Sequence, residues 1–175
     1  MSGSPIIRPA RPDDSAAIAS LHARTMGPGR FARTAYRVRE GVAAEFSPFC
    51  RVSLLGERLI AAVRFTPVRI GGRDGALLLG PMAVEPELAN RGYGRALAAS
   101  ALADARAAGI ALVVLVGDEP YYARLGFRRL PRGRIALPGP VDPDRLLAAE
   151  LRPGAVEDFS GPLQACGAEP VSRRS

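Results

Sequence analysis

The 175-residue chain contains no lysine: all 24 of its basic residues are arginine, set against 17 acidic residues for a formal net charge of +7. Arginine-only basicity beside abundant Ala, 19 Gly and 16 Pro points to a coding bias rich in G and C rather than to selection for a phosphate-binding surface. The arginines are scattered instead of forming a stripe with interleaved aromatics, which argues against nucleic acid as the partner. Histidine occurs once, at His22, and cysteine twice, at Cys50 and Cys166, far apart and without His partners at metal spacing. No metal site is therefore expected, and the thiols read as structural rather than as a disulfide. Long apolar runs are missing too, and the first twenty residues include Arg8, Arg11, Asp13 and Asp14 with no signal-like apolar segment. These absences exclude a helical membrane span and a signal peptide from the expectations and leave a cytoplasmic protein. At 47% hydrophobic, the chain is long enough for one domain with a full core, expected over 1–167, with a disordered tail at 168–175.

What is present concentrates between Leu77 and Phe127. Leu77–Val84 is short and apolar with an internal Gly80-Pro81, so it reads as a buried strand with an irregularity at its middle, where Pro81 removes one ladder donor. Asn90-Arg91-Gly92-Tyr93-Gly94-Arg95 then leads into a helix over Ala96–Ala108, with Leu97, Ala101, Ala105 and Ala108 on one face and Gly109 ending it. Two glycines at a helix start let a ligand approach the backbone, and unpaired first-turn N–H groups with the positive end of the helix dipole attract an anion such as a pyrophosphate. Arg91 and Arg95 flank the turn and add charge-assisted contacts. Ile110–Val116 is a second β-branched run, so strand, helix and strand form a right-handed crossover with parallel strands. A ligand of such a unit sits at the carboxyl ends of the strands, where Val84, the glycine turn, Gly117 and Asp118 lie. A dinucleotide-binding reading of the same turn is weaker, because the third glycine is missing and Asp118 is the only acid near the ribose-binding distance.

Around this unit the expected elements are a first strand Ile6–Ala10, an N-cap region Arg11–Asp14 and a helix Ser15–Thr25 that turns Ala17, Ile18 and Leu21 inward and carries His22 on its surface or partly packed. Gly27-Pro28-Gly29 breaks that helix, and Arg30–Glu45 resumes helical character. Hairpins follow over Arg51–Leu55 with Leu59–Thr66, and over Val68–Ile70 with Ala76 onward. Pro120 suits the first position of a short helix Tyr121–Leu125, with Gly126 after it, and strands Arg128–Leu130 and Leu146–Leu151 complete the sheet.

Leu79-Gly80-Pro81-Met82-Ala83-Val84, the run Arg91–Leu97, and Tyr121-Tyr122-Ala123-Arg124-Leu125-Gly126-Phe127 together resemble the acetyl-CoA-binding core of the GNAT N-acetyltransferases, in the right order over about 50 residues, and Gly117–Tyr122 resembles the YhbS-like branch. The family's first motif position, Gln or Arg, is Ala89 in this chain. The resemblance implies an α+β GNAT fold: a mixed six- to seven-stranded central sheet, parallel central strands splayed around the cofactor, and helices on both faces. It also implies acetyl transfer from acetyl-CoA to a primary amine, on a small molecule or peptide, by a monomer or homodimer. Cofactor contacts are then expected from Met82, Ala83, Val84, Asn90, Arg91, Gly92, Tyr93, Gly94, Arg95, Gly117, Asp118 and Tyr121. Free N–H groups at Met82–Val84 would serve the pantetheine amides and the thioester carbonyl. Tyr122 matches the family's tyrosine that protonates the leaving thiolate. For the base that deprotonates the amine, Asp118, Glu119, Glu40, Glu45 and water all stand open. With Ala89 at the first motif position, a CoA-binding or regulatory module without turnover is the alternative.

Overall fold

Leu77, Leu79, Val113 and Leu115 face one side of a sheet, and Ala76, Leu78, Leu112 and Val114 face the other, as the two-residue period of a strand dictates. Both sides are buried, which is why these segments read as unbroken apolar runs. The computed structural model describes residues 3–26, 34–39 and 46–166. Its strands β1 (Ile6–Pro9), β2 (Arg51–Leu55), β3 (Arg58–Ile70), β4 (Arg73–Val84), β5 (Leu112–Val116), β6 (Arg128–Arg129) and β8 (Leu146–Glu150) lie side by side in the order β1-β2-β3-β4-β5-β8-β6. Two more, β7 (Ile135–Ala136) and β9 (Gly161–Ala165), pair with each other, and β9 also pairs with the far half of β3. Pairing is antiparallel except for β4 with β5 and β7 with β9.

The helices are α1 (Ser15–Met26), α2 (Thr34–Arg39), α3 (Tyr93–Ala107) and the single turn α4 (Glu119–Tyr122). From α3, Leu97, Ala98, Ala101, Leu102 and Ala105 pack on one face of the sheet, against Ile60, Val63, Phe65, Leu77 and Val113. Small residues at three- and four-residue spacing let the helix lie close to the strands. Ile18 and Leu21 of α1 cover Val52, Ala62 and Ala83, while Val38 of α2 meets Val68, Leu78 and Val114, so the sheet is sandwiched.

The parallel pair is short. β4 and β5 are in register only from Ala76↔Leu112 to Leu78↔Val114. Beyond that point β4 follows β3 to Val84, and β5 follows β8 through Leu115↔Leu147 and Val116↔Leu146. The predicted irregularity lies in this region. Val63 pairs with Met82 and Phe65 with Leu79, so Arg64 alone spans Gly80 and Pro81 in a bulge where the missing proline N–H costs no ladder bond.

Several elements differ from the sequence reading. The two segments Leu59–Thr66 and Val68–Ile70 are one strand, because Pro67 keeps its ladder place opposite Leu77 and its carbonyl accepts the Cys166 N–H. Between the ends of β2 and β9 the edge of β3 is covered by side chains: the Phe65 carbonyl accepts from Ser47 Oγ and from the Cys50 thiol, and the Phe65 N–H points at the Cys50 sulfur at 3.4 Å. Both cysteines are free. His22 is buried, not superficial, and Ala17 is exposed. The buried stripe Ile18, Leu21, His22 has i, i+3, i+4 spacing, and Ala17 sits about a quarter turn off it. α3 begins three residues earlier than expected, at Tyr93, and Ala108 is an exposed C-cap. The strand β9 and the 3₁₀ turn Ala155–Asp158 form in a Gly-, Pro- and polar-rich region for which no element was expected. The Gly27–Gly29 break, most of the Arg30–Glu45 helix and the 168–175 tail lie outside the described residues.

At the start of α1, the Asp14 carboxylate takes two bonds of 2.8 Å from the Arg8 guanidinium and one of 2.8 Å from the Arg11 N–H. The Arg8 bonds, assisted by the Arg11 N–H against the cost of burial, hold Asp14 below the usual carboxylate range. Asp14→Asn is expected to lower the unfolding free energy by about 2 kcal/mol at neutral pH, measured by urea denaturation. Because the folded state holds this proton less tightly than the unfolded chain, the contribution is complete above pH ~4 and vanishes as pH falls through the depressed folded value. The difference between wild type and variant should close in that window.

Candidate functional site

The chain leaves β4 with the Glu85 N–H bonded to the Ile60 carbonyl at 2.8 Å, then makes a 3₁₀ turn at Pro86–Leu88. Asn90 takes φ 63° and Gly92 φ 84°, a double left-handed step that few side chains tolerate and that aims the chain into α3. Gly92 is the N-cap, and no side chain caps the helix. Ala96 N–H is the first to bond back, to the Gly92 carbonyl at 3.0 Å. The N–H groups of Tyr93, Gly94 and Arg95 therefore emerge unpaired at the positive end of a four-turn helix.

They open on a cleft of about 780 Å³. Val84 and the 88–92 loop form one wall with the first turn of α3, and Pro120, Tyr121 and Arg124 form the other. The walls stand apart because β4 and β5 have diverged beneath them. Of the residues predicted for cofactor contact, Val84, Asn90, Arg91, Gly92, Tyr93, Gly94, Arg95 and Tyr121 line this cleft. Met82 lies just beneath, its terminal methyl 3.5 Å from where a Cβ on Gly94 would stand. Ala83 turns its side chain to the opposite face, into the α1 cluster. Gly117 and Asp118 are outside the lining. Asp118 is exposed, 3.5 Å from Arg145, and its carbonyl accepts the Tyr121 and Tyr122 N–H groups at 3.1 Å.

Gly92 and Gly94 do different things. A Cβ at Gly92 meets nothing within 4 Å, so only its φ requires glycine; a Cβ at Gly94 would stand 3.0 Å from Tyr121 Oη and 3.2 Å from Val84, so there glycine provides room. Gly117 has the same use for Tyr122, whose ring edge lies 2.6 Å from where a Cβ would stand. Tyr122 is half-buried against the α3-side core, and its ring is met edge-on by Tyr121 at 4.9 Å and Phe127 at 5.8 Å between centroids. Gly126 ends the short helical segment in the left-handed region, as predicted, and Pro120 is its second residue rather than its first.

Sequence reasoning missed Arg124 and Glu85. Arg124 follows Tyr121 by three residues, the spacing that puts two helical side chains on one face. Glu85 is 3% exposed directly after the apolar run of β4 and pairs with Arg24 of α1 and, at 3.8 Å, with Arg58. It ties α1 to the strand end from which the glycine turn departs. Of the carboxylates considered as bases, Glu119 accepts the Arg129 N–H at 3.1 Å, Asp118 faces Arg145, and Glu40 and Glu45 are outside the described residues. Among the described residues, no three His, Cys, Asp or Glu stand together as metal ligands, and no helix is long and apolar enough to cross a membrane.

The family model described as an acetyltransferase (GNAT) domain matches residues 6–130. Among solved structures, the GNAT family N-acetyltransferase YhbS from Escherichia coli, in complex with CoA, superposes with a TM-score of 0.78 over 94% of this chain and 92% of its own, at 23% identity. A GNAT family acetyltransferase from Brucella melitensis in complex with acetyl-CoA gives 0.59, 28% identity, and 84% and 96% coverage. The ribosomal-protein-S18-alanine N-acetyltransferase from Escherichia coli gives 0.60 at 16% identity, with 85% and 94% coverage. The comparison with curated protein sequences gives no match. With the matched domain spanning most of its length and the splayed parallel pair at its centre, this chain belongs to the GNAT acetyltransferase family.

The two glycines should separate in mutation. Gly92→Ala is expected to lower the unfolding free energy by about 1 kcal/mol through left-handed strain alone, with near-ultraviolet circular dichroism unchanged. Gly94→Ala should instead move the Tyr121 ring and alter that spectrum, which in a chain without tryptophan is dominated by its four tyrosines.

Proposed function

We propose that the protein transfers an acetyl group from acetyl-CoA to a primary amine by direct attack of the amine on the bound thioester. The observation that carries this reading is the cleft itself: an uncapped helix N-terminus flanked by Arg91 and Arg95, opening at the point where β4 and β5 part. A pyrophosphate suits the N–H groups of Tyr93, Gly94 and Arg95. Arg91 compensates for Ala89, which has no side chain to reach it. The CoA complexes of the related YhbS and Brucella melitensis structures support the choice of cofactor.

From the pyrophosphate, the pantetheine arm runs down the gap between the strands. The β5-facing edge of β4 from Leu79 to Val84 has no ladder partner in β5, so its backbone is available to pair with the arm's amides in place of a strand. An N–H near Met82–Val84 then polarises the thioester carbonyl, a contribution typically worth ~3 kcal/mol per donor. The neutral amine forms the new C–N bond, the C–S bond breaks, Tyr122 gives its phenolic proton to the departing thiolate, and the proton that the acylated nitrogen sheds restores the phenol by way of solvent. Gly117 is what lets the Tyr122 ring lie against the end of β5. With Asp118 and Glu119 engaged by Arg145 and Arg129, Glu40, Glu45 or water is left to take the proton that the ammonium must lose. The acceptor enters from the α2 side of β3, where Arg39, Phe46, Arg64 and Thr66 line a second cavity of about 210 Å³. The proposed compartment is the cytoplasm.

Release of free thiol from acetyl-CoA in the presence of an amine library is the direct test. Thiol release that depends on the amine supports the reading; tight CoA binding with no amine-dependent release would leave a non-catalytic CoA-binding module, and no binding at millimolar acetyl-CoA would end both. Within an active protein, Tyr122→Phe should reduce kcat about 10²-fold with KM for acetyl-CoA nearly unchanged, because the ring packing is kept and only the proton donor is lost. A kcat within about twofold of wild type refutes the acid role. Tyr121→Phe serves as the control.

A further inference from the structure

The cleft holds more positive charge than a pyrophosphate uses. Its lining contains three arginines, Arg91, Arg95 and Arg124, and no carboxylate. None of the three has an ion pair or hydrogen bond among the described residues, and the Nε of Arg95 is buried without a partner. Elsewhere on the same side of the molecule arginines are committed: Arg129 faces Glu119 and Asp144, Arg132 faces Asp144, Arg145 faces Asp118, and Arg128 donates to the Phe127 carbonyl at 3.0 Å. Three unpaired guanidiniums thus converge on one cleft that holds no carboxylate, which makes it a receptive place for an anion from outside.

Arg91 and Arg95 belong to the glycine turn and the first turn of α3, beside the free N–H groups, and match a diphosphate's charge of about two together with the half charge of the helix dipole. Arg124 comes from a different element. It stands on the 3₁₀ turn Ala123–Leu125 after α4, across the cleft from that turn, and shares a helical face with Tyr121. Its charge has no counterpart in the diphosphate. We propose that Arg124 binds a second phosphate group of the same ligand, the 3′-phosphate of CoA, and so makes the protein select CoA over 3′-dephospho-CoA. A phosphate monoester carries −1.5 to −2 charge near neutral pH and three acceptor oxygens, which a planar guanidinium engages in a forked, charge-assisted contact. This assignment rests on the acetyl-CoA reading of the cleft and adds to it the residue that reads the nucleotide's far end.

Calorimetric titration of wild type, Arg124→Gln and Arg124→Lys with CoA and with 3′-dephospho-CoA tests it. Wild type should bind CoA about tenfold tighter than 3′-dephospho-CoA, the low end for a charge-assisted contact at an exposed site. Arg124→Gln should erase that ratio by weakening CoA alone, and Arg124→Lys should restore part of it. Arg91→Gln should weaken both ligands alike and keep the ratio. A wild type that does not discriminate, or an Arg124→Gln variant that weakens both ligands equally or neither, overturns the assignment while leaving CoA binding intact. Failure of wild type to bind either ligand refutes the acetyl-CoA reading and this assignment with it. Unchanged melting temperatures of the variants exclude a folding defect, since Arg124 is exposed and makes no contact that the fold depends on.

Discussion

The parting of β4 from β5 after three residue pairs is the constraint on which the site depends. Parallel strands in a buried sheet normally stay paired, because an unpaired backbone N–H or carbonyl in an apolar interior costs about as much as a lost hydrogen bond. Here each strand keeps one satisfied edge, β4 on β3 and β5 on β8, and the gap between them is left at the carboxyl ends. Two devices keep it open. The bulge at Gly80-Pro81 lets β4 bend with β3, and the antiparallel strand β8 pulls β5 the other way.

Everything at the rim of the gap is built from close backbone approach. Gly92 supplies a left-handed turn, Gly94 provides room for Tyr121 and Val84, and Gly117 provides room for Tyr122. The two tyrosines are adjacent in sequence but differently placed. Tyr121 lies in the cleft with its hydroxyl over the first turn of α3, whereas Tyr122 is wedged between Gly117 and Phe127, deeper along the core. A single-turn helix with Pro120 in its first turn and Gly126 at its end fixes both directions at once.

Charge is distributed by the same logic. The acidic residues near the cleft are turned outward, Glu119 to Arg129, Asp118 to Arg145 and Glu87 to Arg58, or, in Glu85, buried between α1 and β3 against Arg24 and Arg58. The cleft is left lined by arginine alone, at the positive end of α3. Scattered along the sequence, those arginines looked like coding bias; folding gathers three of them from two segments around one cavity.

The sequence by itself determined the parallel unit, the glycine turn and the family. Apolar runs of strand length around an alanine-rich helix are local patterns, and Gly92 and Gly126 mark positions whose conformation is set by their own backbone. Only the tertiary structure decided what depended on distant partners. Pro67 stays within one long β3 because Leu77 on one side and Cys166 on the other keep its place. β9 forms from a Gly- and Pro-rich stretch because the β3 edge beyond Cys50 was vacant for it. His22 is interior because α1 docks by the stripe that contains it, and Arg124 and Glu85 acquire their surroundings from elements up to 61 residues away. Local propensity sees the turn and the period, but which edge is free, which face is covered and which charges meet are properties of packing that no window of sequence contains.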